Sequence, residues 1–134
     1  MNLSAKEIRP RIIALVDDEE CVLEALASLL RSVGYATKEY ASAESFLDSV
    51  LLEPPDCLIL DLHLPGMDGL ALQRRLAEQS PPFSIIFISS NGTAEQRHRA
   101  LQSGAVAFIS KPFGDDAILA AVRRAIRGAR ESGQ

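Results

Sequence analysis

The sequence predicts an α/β domain: a doubly wound, five-stranded parallel sheet with helices on both faces. Two observations carry that expectation. Between Arg11 and Arg130, short apolar runs alternate five times with amphipathic segments, and strand–helix repeats of this size call for a parallel sheet covered on both sides. Residues able to do chemistry also end successive apolar runs: Asp17-Asp18, Asp61, Ser89 and Lys111. In an open α/β sheet such strand ends line one edge, where ligands bind.

Taken in order, RIIALV reads as a buried strand ending at Asp17 and Asp18. A helix follows over Glu19–Val33, with Val22, Leu26, Leu29 and Val33 at helical spacing and Gly34 as a left-handed stop. ATKEY is a less apolar strand, expected near an edge. Ser42 can cap a second helix carrying Phe46, Leu47 and Val50. Pro54-Pro55 breaks the pattern before the third strand, CLIL, which ends at Asp61. The loop LPGMDG leads to a third helix over Leu70–Glu78, and Pro81-Pro82 precedes the fourth strand, SIIFI, ending at Ser89. Thr93 and Gln96 have capping-box spacing for a fourth helix that stops near Gly104. Its apolar stripe is thin, with Ala94, Ala100 and Leu101 alone, and a weakly anchored helix is easier to move. AVAFI runs to Lys111 as the fifth strand, and Asp115–Arg130 forms the last helix. The expected organisation is a loose leader over 1–10, one domain over 11–130 and a short tail over 131–134.

A chain of 134 residues suits one domain of ordinary size. Hydrophobic residues at 47% and charged residues at 24% exclude a disordered tail protein. A net charge of −4 argues against nucleic acid as a ligand of this domain. The charge is uneven, with 7 basic and 15 acidic residues in 1–96 against 7 and 3 in 97–134. The simplest reading of Arg123, Arg124, Arg127 and Arg130 is a solvated face that complements the dipole of the last helix. No apolar run is long enough to span a bilayer, and MNLSAKEIRP lacks the apolar stretch of a secretory signal, so a cytoplasmic location away from membranes is expected. Cys21 and Cys57 form neither a disulfide framework nor a CxxC site, and both are expected to be small buried apolar residues.

For strand order 2-1-3-4-5, the first and third strands are neighbours at the switch point, which gathers Asp17, Asp18 and Asp61. Clustered carboxylates raise one another's pKa unless a cation sits among them. Oxygen-only ligation favours Mg²⁺, which keeps waters and pairs with phosphate. Lys111 and Ser89 add a positive charge and a hydroxyl donor suited to a phosphoryl oxygen. A carboxylate can itself act as nucleophile and form an aspartyl-phosphate. Three alternatives stay open on the residues alone: Asp17 or Asp18 as a cap of the first helix, Ser90 in place of Ser89, and Phe108 as core filling. His63 and His98 lie on different elements without partners at transition-metal spacing, and His63 with Asn91 more simply flanks the site.

VDDE, LDLHLPGMDG, FISS and SKPF, in this order and at these intervals, resemble the signature of response-regulator receiver domains, and the likeness covers residues 11–127. The resemblance implies a flavodoxin-like fold with the strand order 2-1-3-4-5. It implies Asp61 as phospho-acceptor, Asp18 as a direct Mg²⁺ contact, Asp17 acting through water, and the His63 backbone carbonyl as a further ligand. Ser89 matches the switch hydroxyl, flanked by Ser90 and Asn91; Phe108 matches the switch aromatic, and Lys111 the lysine before a cis proline. The implied function is a two-component signalling switch rather than an enzyme acting on a free substrate. Its donor would be a sensor histidine kinase or phosphotransfer protein. Its target would be a downstream protein or a missing output domain, and a homodimer formed on phosphorylation is open. Phe46, LPGMDG and SKPF also resemble receivers that precede a DNA-binding module, so the chain is either a stand-alone receiver or one domain of a longer regulator.

Two competing classes fit part of the pattern. A haloacid-dehalogenase-like phosphatase also uses an Asp nucleophile and Mg²⁺, but with a DxD pattern after the first strand; here Asp61 follows the third, and His63 stands two residues on. A receiver-like scaffold independent of phosphate would not need the full set of matched residues that this chain carries.

Overall fold

The computed structural model describes residues 9–50, 52–79 and 83–132. Residues 1–8 of the expected leader, the Pro81-Pro82 break and residues 133–134 of the expected tail lie outside the described residues. The chain runs β1 (Ile12–Val16), α1 (Glu20–Ser32), β2 (Ala36–Tyr40), α2 (Ala43–Val50), β3 (Cys57–Asp61), α3 (Gly69–Ala77), β4 (Ser84–Ser89), α4 (Ala94–Gln102), β5 (Ala107–Ser110) and α5 (Asp115–Ser132). The strands form one parallel sheet in the order β2-β1-β3-β4-β5, as expected. The half-buried β2 lies at an edge, and β3, buried at every position, lies at the centre.

Period-two alternation along the central strands splits the apolar residues between two cores. Ile13, Leu15, Cys57, Ile59, Ile86 and Ile88 pack under α1 and α5, whereas Val16, Leu58, Leu60 and Phe87 pack under α2, α3 and α4. A strand buried on both faces must be apolar almost throughout. The polar residues are therefore confined to its end, and the chemistry collects there.

Four local expectations need correction. The buried stripe of α1 is Leu23, Leu26, Ala27 and Leu30, not the Val22–Val33 set, and Val33 is 52% exposed. The i, i+3, i+4, i+7 pattern through Leu23 captures the better apolar face. Cys21 is exposed because it lies off that stripe, while Cys57 is buried as expected. Burial and the neighbouring Asp56 push the Cys57 thiol pKa up to about 12, which leaves it inert. The fifth strand starts at Ala107 rather than Ala105, and α5 continues past Arg130 to Ser132.

Helix ends follow the sequence signals closely. Gly34 and Gly104, at φ +98° and +105°, supply the left-handed stops after α1 and α4. Thr93 and Gln96 make a reciprocal capping box on α4. Asp68 caps α3 by accepting from Ala71 N at 2.8 Å. The first residue of α3, Gly69, lies against the end of β3: a Cβ there would stand 2.5 Å from Asp61 O and 3.0 Å from Leu62 Cα. Backbone at that distance cannot yield cheaply. Gly69→Ala should therefore lower the unfolding free energy by about 1–3 kcal/mol, measured by urea titration with an unchanged m-value.

Candidate functional site

The carboxyl ends of β1, β3, β4 and β5 bring the predicted residues to one edge. Asp17 follows β1, and its backbone N–H donates to Tyr40 O at 3.1 Å, which continues the sheet by one residue. Its side chain is fully buried. Oδ1 accepts from Glu19 N at 2.8 Å, a turn just ahead of α1; the N-cap of α1 is Glu19, without a side-chain cap hydrogen bond, so neither Asp17 nor Asp18 caps the helix. Oδ2 points the other way and lies 2.9 Å from Lys111 Nζ, yet it has no aligned hydrogen-bond partner among the described residues. One carboxylate thus both turns the chain and faces the site.

Asp61 ends β3 at 4% exposure. Its Oδ1 accepts from His63 N at 3.2 Å and its Oδ2 from Lys111 Nζ at 3.4 Å. Burial, with the Asp17 charge behind it, raises the Asp61 carboxyl above the usual aspartate range, although Lys111 and the His63 N–H oppose the rise. Lys111 follows β5, its N–H donating to Ser89 O at 2.8 Å, and the Lys111-Pro112 peptide is cis, as the resemblance implied. Burial alone would depress the ammonium, but contacts with Asp17 and Glu19 outweigh it and raise Lys111 above its ordinary value.

Oxygens of Asp17, Glu19 and Asp61 all lie within 4.8 Å of one another. An all-carboxylate donor set containing one buried oxygen without a hydrogen bond suits a hard divalent cation. Asp18 is exposed and is not one of the three. Glu19 was missed by sequence reasoning, although the acidic run DDEE was the available signal. Its Oε1 accepts from Lys111 Nζ at 3.1 Å. Glu44 was missed too: its carboxylate accepts from Met67 N at 3.1 Å, holding the loop after Asp61, and that N–H keeps its pKa below the usual value. No local pattern links α2 to that loop, so only the fold could reveal the pair.

Ser89, not Ser90, is the buried hydroxyl at the end of β4. Its Oγ accepts from Asn91 N at 3.2 Å. Ser90 is exposed and, with Glu19, Cys21, Lys111 and Phe113, lines an open groove of about 540 Å³ beside the site. Phe108 is half-buried on β5, its ring 6.2 Å from that of Phe87 and 6.0 Å from the Arg97 guanidinium. A Cβ at Gly92 would stand 2.5 Å from Phe108 Cζ and 3.4 Å from Ser89 Oγ, so the ring fills the space beside the hydroxyl. His63 and Asn91 are both exposed at the rim. His98 sits on the exposed face of α4, away from this cluster.

Residues 13–123 match the family pattern of the response regulator receiver domain. The chain is 44% identical over 116 residues to the response regulator protein TmoT of Ectopseudomonas mendocina, covering 87% of this chain and 53% of that protein. It is 34% identical over 122 residues to the transcriptional regulatory protein FixJ of Azorhizobium caulinodans, covering 91% of this chain and 58% of that one. The chain thus spans about half the length of the curated relatives it matches. Among solved structures it is similar to the response regulator StyR, with a TM-score of 0.84 at 35% identity over 92% of this chain and 63% of that one. It is also similar to the signal receiver domain of an HD domain-containing protein from Pseudomonas fluorescens Pf-5, with a TM-score of 0.85 at 29% identity over 92% and 99%.

A carboxyl group raised in the fold destabilises it wherever the group is charged. The penalty is full above the folded-state pKa and vanishes below the ordinary aspartate value. Asp61→Asn should therefore melt higher than the parent at neutral pH without divalent cations. Thermal unfolding across the acid range should show that advantage shrinking to nothing as pH falls.

Proposed function

Because the chain belongs to the response regulator receiver domain family, we propose that Asp61 accepts a phosphoryl group from a phosphohistidine on a sensor histidine kinase or phosphotransfer protein. The observation that carries this reading is the placement of the Asp61 carboxylate: buried at the end of the central strand, with Lys111 Nζ 3.4 Å away and a second carboxylate, Asp17, beside it. An Asp61 oxygen attacks phosphorus; the phosphorus–nitrogen bond breaks; its electron pair returns to the imidazole, which takes up a proton. An acyl phosphate is left on Asp61. Mg²⁺, held by the buried Asp17 and Asp61 and the His63 carbonyl, with Asp18, exposed and outside their cluster, as the further ligand the resemblance implies, would supply positive charge against the transferring phosphoryl oxygens. Lys111 contributes a fixed ammonium on the other side, and Ser89 a hydroxyl that can donate once the phosphoryl group is present. The unit over 11–130 acts as a cytoplasmic signalling switch that also loses its phosphoryl group slowly to water.

The readout runs through β4, β5 and α4. Drawing the Ser89 hydroxyl toward the phosphoryl group frees the space beside Gly92, and Phe108 turns inward. Movement of α4 follows, because among the described residues Ala100 is its one buried position. Moving such a switch from mostly inactive to mostly active takes about 5.5 kcal/mol of differential stabilisation. Two charge-assisted hydrogen bonds, at about 1.5–3 kcal/mol each, supply much of it. The changed face then meets a downstream protein, an output domain or a second copy of the chain.

Two measurements follow. Incubation with Mg²⁺ and acetyl phosphate should add one hydroxylamine-labile phosphoryl group per chain, seen by intact-mass spectrometry and absent in Asp61→Asn; labelling of the variant at the parent level contradicts the assignment. Fluoroberyllate, a phosphoryl mimic, should shift the amide resonances of α4 in the parent and shift them much less in Ser89→Ala. Equal shifts in both would remove the hydroxyl from the coupling path.

A further inference from the structure

Lys111 Nζ has three protons to donate, and three carboxylate oxygens surround it: Asp17 at 2.9 Å, Glu19 at 3.1 Å and Asp61 at 3.4 Å. The three are not equivalent. The side chains of Asp17 and Asp61 are 0% and 5% exposed and are fixed by strand ends, whereas that of Glu19 is 54% exposed. The Glu19 backbone is pinned: its N–H donates to Asp17 Oδ1, and its carbonyl accepts from Val22 and Leu23 at 3.1 and 3.2 Å. What remains free is the side chain, on a flexible stem. Glu19 and Lys111 both line the open groove, and a Glu19 oxygen lies within 4.8 Å of an Asp61 oxygen, so an anion reaching Asp61 from the groove meets the Glu19 carboxylate.

We propose that Glu19 is a positioning residue for phosphotransfer: it holds the Lys111 ammonium beside Asp61 in the unphosphorylated protein, and the phosphoryl group displaces it. The inference rests on the reading of Asp61 as acceptor and adds a cost to it. A phosphoryl oxygen needs a donor from Lys111, and Asp17 and Asp61 cannot withdraw. The mobile carboxylate is the one that gives way. Until it does, its charge repels anionic donors at the mouth of the site. Glu19 therefore acts against donor capture and contributes little once the phosphoryl group is seated.

The test is acetyl phosphate-driven phosphorylation of Glu19→Gln, which keeps the length and the acceptor but removes the charge, at saturating Mg²⁺. The donor concentration giving half-maximal rate should fall about two- to fivefold, the range carried by one exposed ion pair, with a smaller change in the saturating rate. Raising ionic strength should narrow the gap between variant and parent, because exposed charges are screened. Calorimetric titration with Mg²⁺ alone separates the metal-ligand alternative. A loss of Mg²⁺ affinity beyond about tenfold, with half-saturation by donor unchanged or raised, overturns the proposal and makes Glu19 a ligand. Equal half-saturation at every ionic strength, with Mg²⁺ affinity intact, overturns it as well. If neither protein takes up a phosphoryl group, the reading of Asp61 itself fails.

Discussion

One ammonium serving three carboxylates is the constraint from which the rest of this structure follows. Asp17 and Asp61 end adjacent strands of a sheet whose interior has no room for polar groups, so they are driven together at its edge. Two buried anions this close are tolerable only with positive charge between them. Lys111 supplies it from the end of β5, across β4. The charge is nevertheless insufficient. Asp61 stays above its ordinary pKa, and one oxygen of Asp17 keeps no hydrogen bond among the described residues. A site left short of positive charge is prepared for a divalent cation.

The same sheet edge explains how the site reaches a surface. Ser89 and Lys111 are joined through the backbone, and Phe108 packs against Gly92, directly beside the Ser89 hydroxyl. Above them lies α4, which is capped well at its N-terminus but held to the core through Ala100. Buried Gln73 of α3 donates to the Ala100 carbonyl at 3.0 Å, tying the far end of α4 to its neighbour. A helix fixed at one point and loosely packed elsewhere can pivot without unfolding. Burial is concentrated in β1, β3 and β4, whereas α4 has the thinnest buried face.

Much of this was legible in the sequence because burial on both faces of a parallel sheet leaves a coarse signal. CLIL and SIIFI cannot be exposed strands, and the polar residue that ends each one stands out against them. The capping box at Thr93 and the stops at Gly34 and Gly104 were equally local. What could not be read was set by tertiary phase. The buried stripe of α1 runs through Leu23 rather than Val22, a difference of one residue that decides whether Cys21 faces core or solvent. Glu19 was hidden in a run of four acids, where nothing local distinguishes the one that meets a lysine 92 residues away. Glu44 meets Met67 only because α2 and the loop after β3 share one side of the sheet.

In this site the Lys111 charge is what makes a buried Asp61 carboxylate tolerable. A double-mutant cycle in urea unfolding, pairing Lys111→Met with Asp61→Asn in the absence of divalent cations, tests it most directly. Lys111→Met alone should cost about 3 kcal/mol, because it strands buried carboxylates without their counter-charge. Asp61→Asn should then stabilise the Lys111→Met protein by more than it stabilises the parent, giving a coupling energy of about 0.5–3 kcal/mol. Strict additivity, with Asp61→Asn worth the same in both backgrounds, would mean that the two side chains are neighbours without an energetic bond and that Lys111 is not what makes the Asp61 charge tolerable.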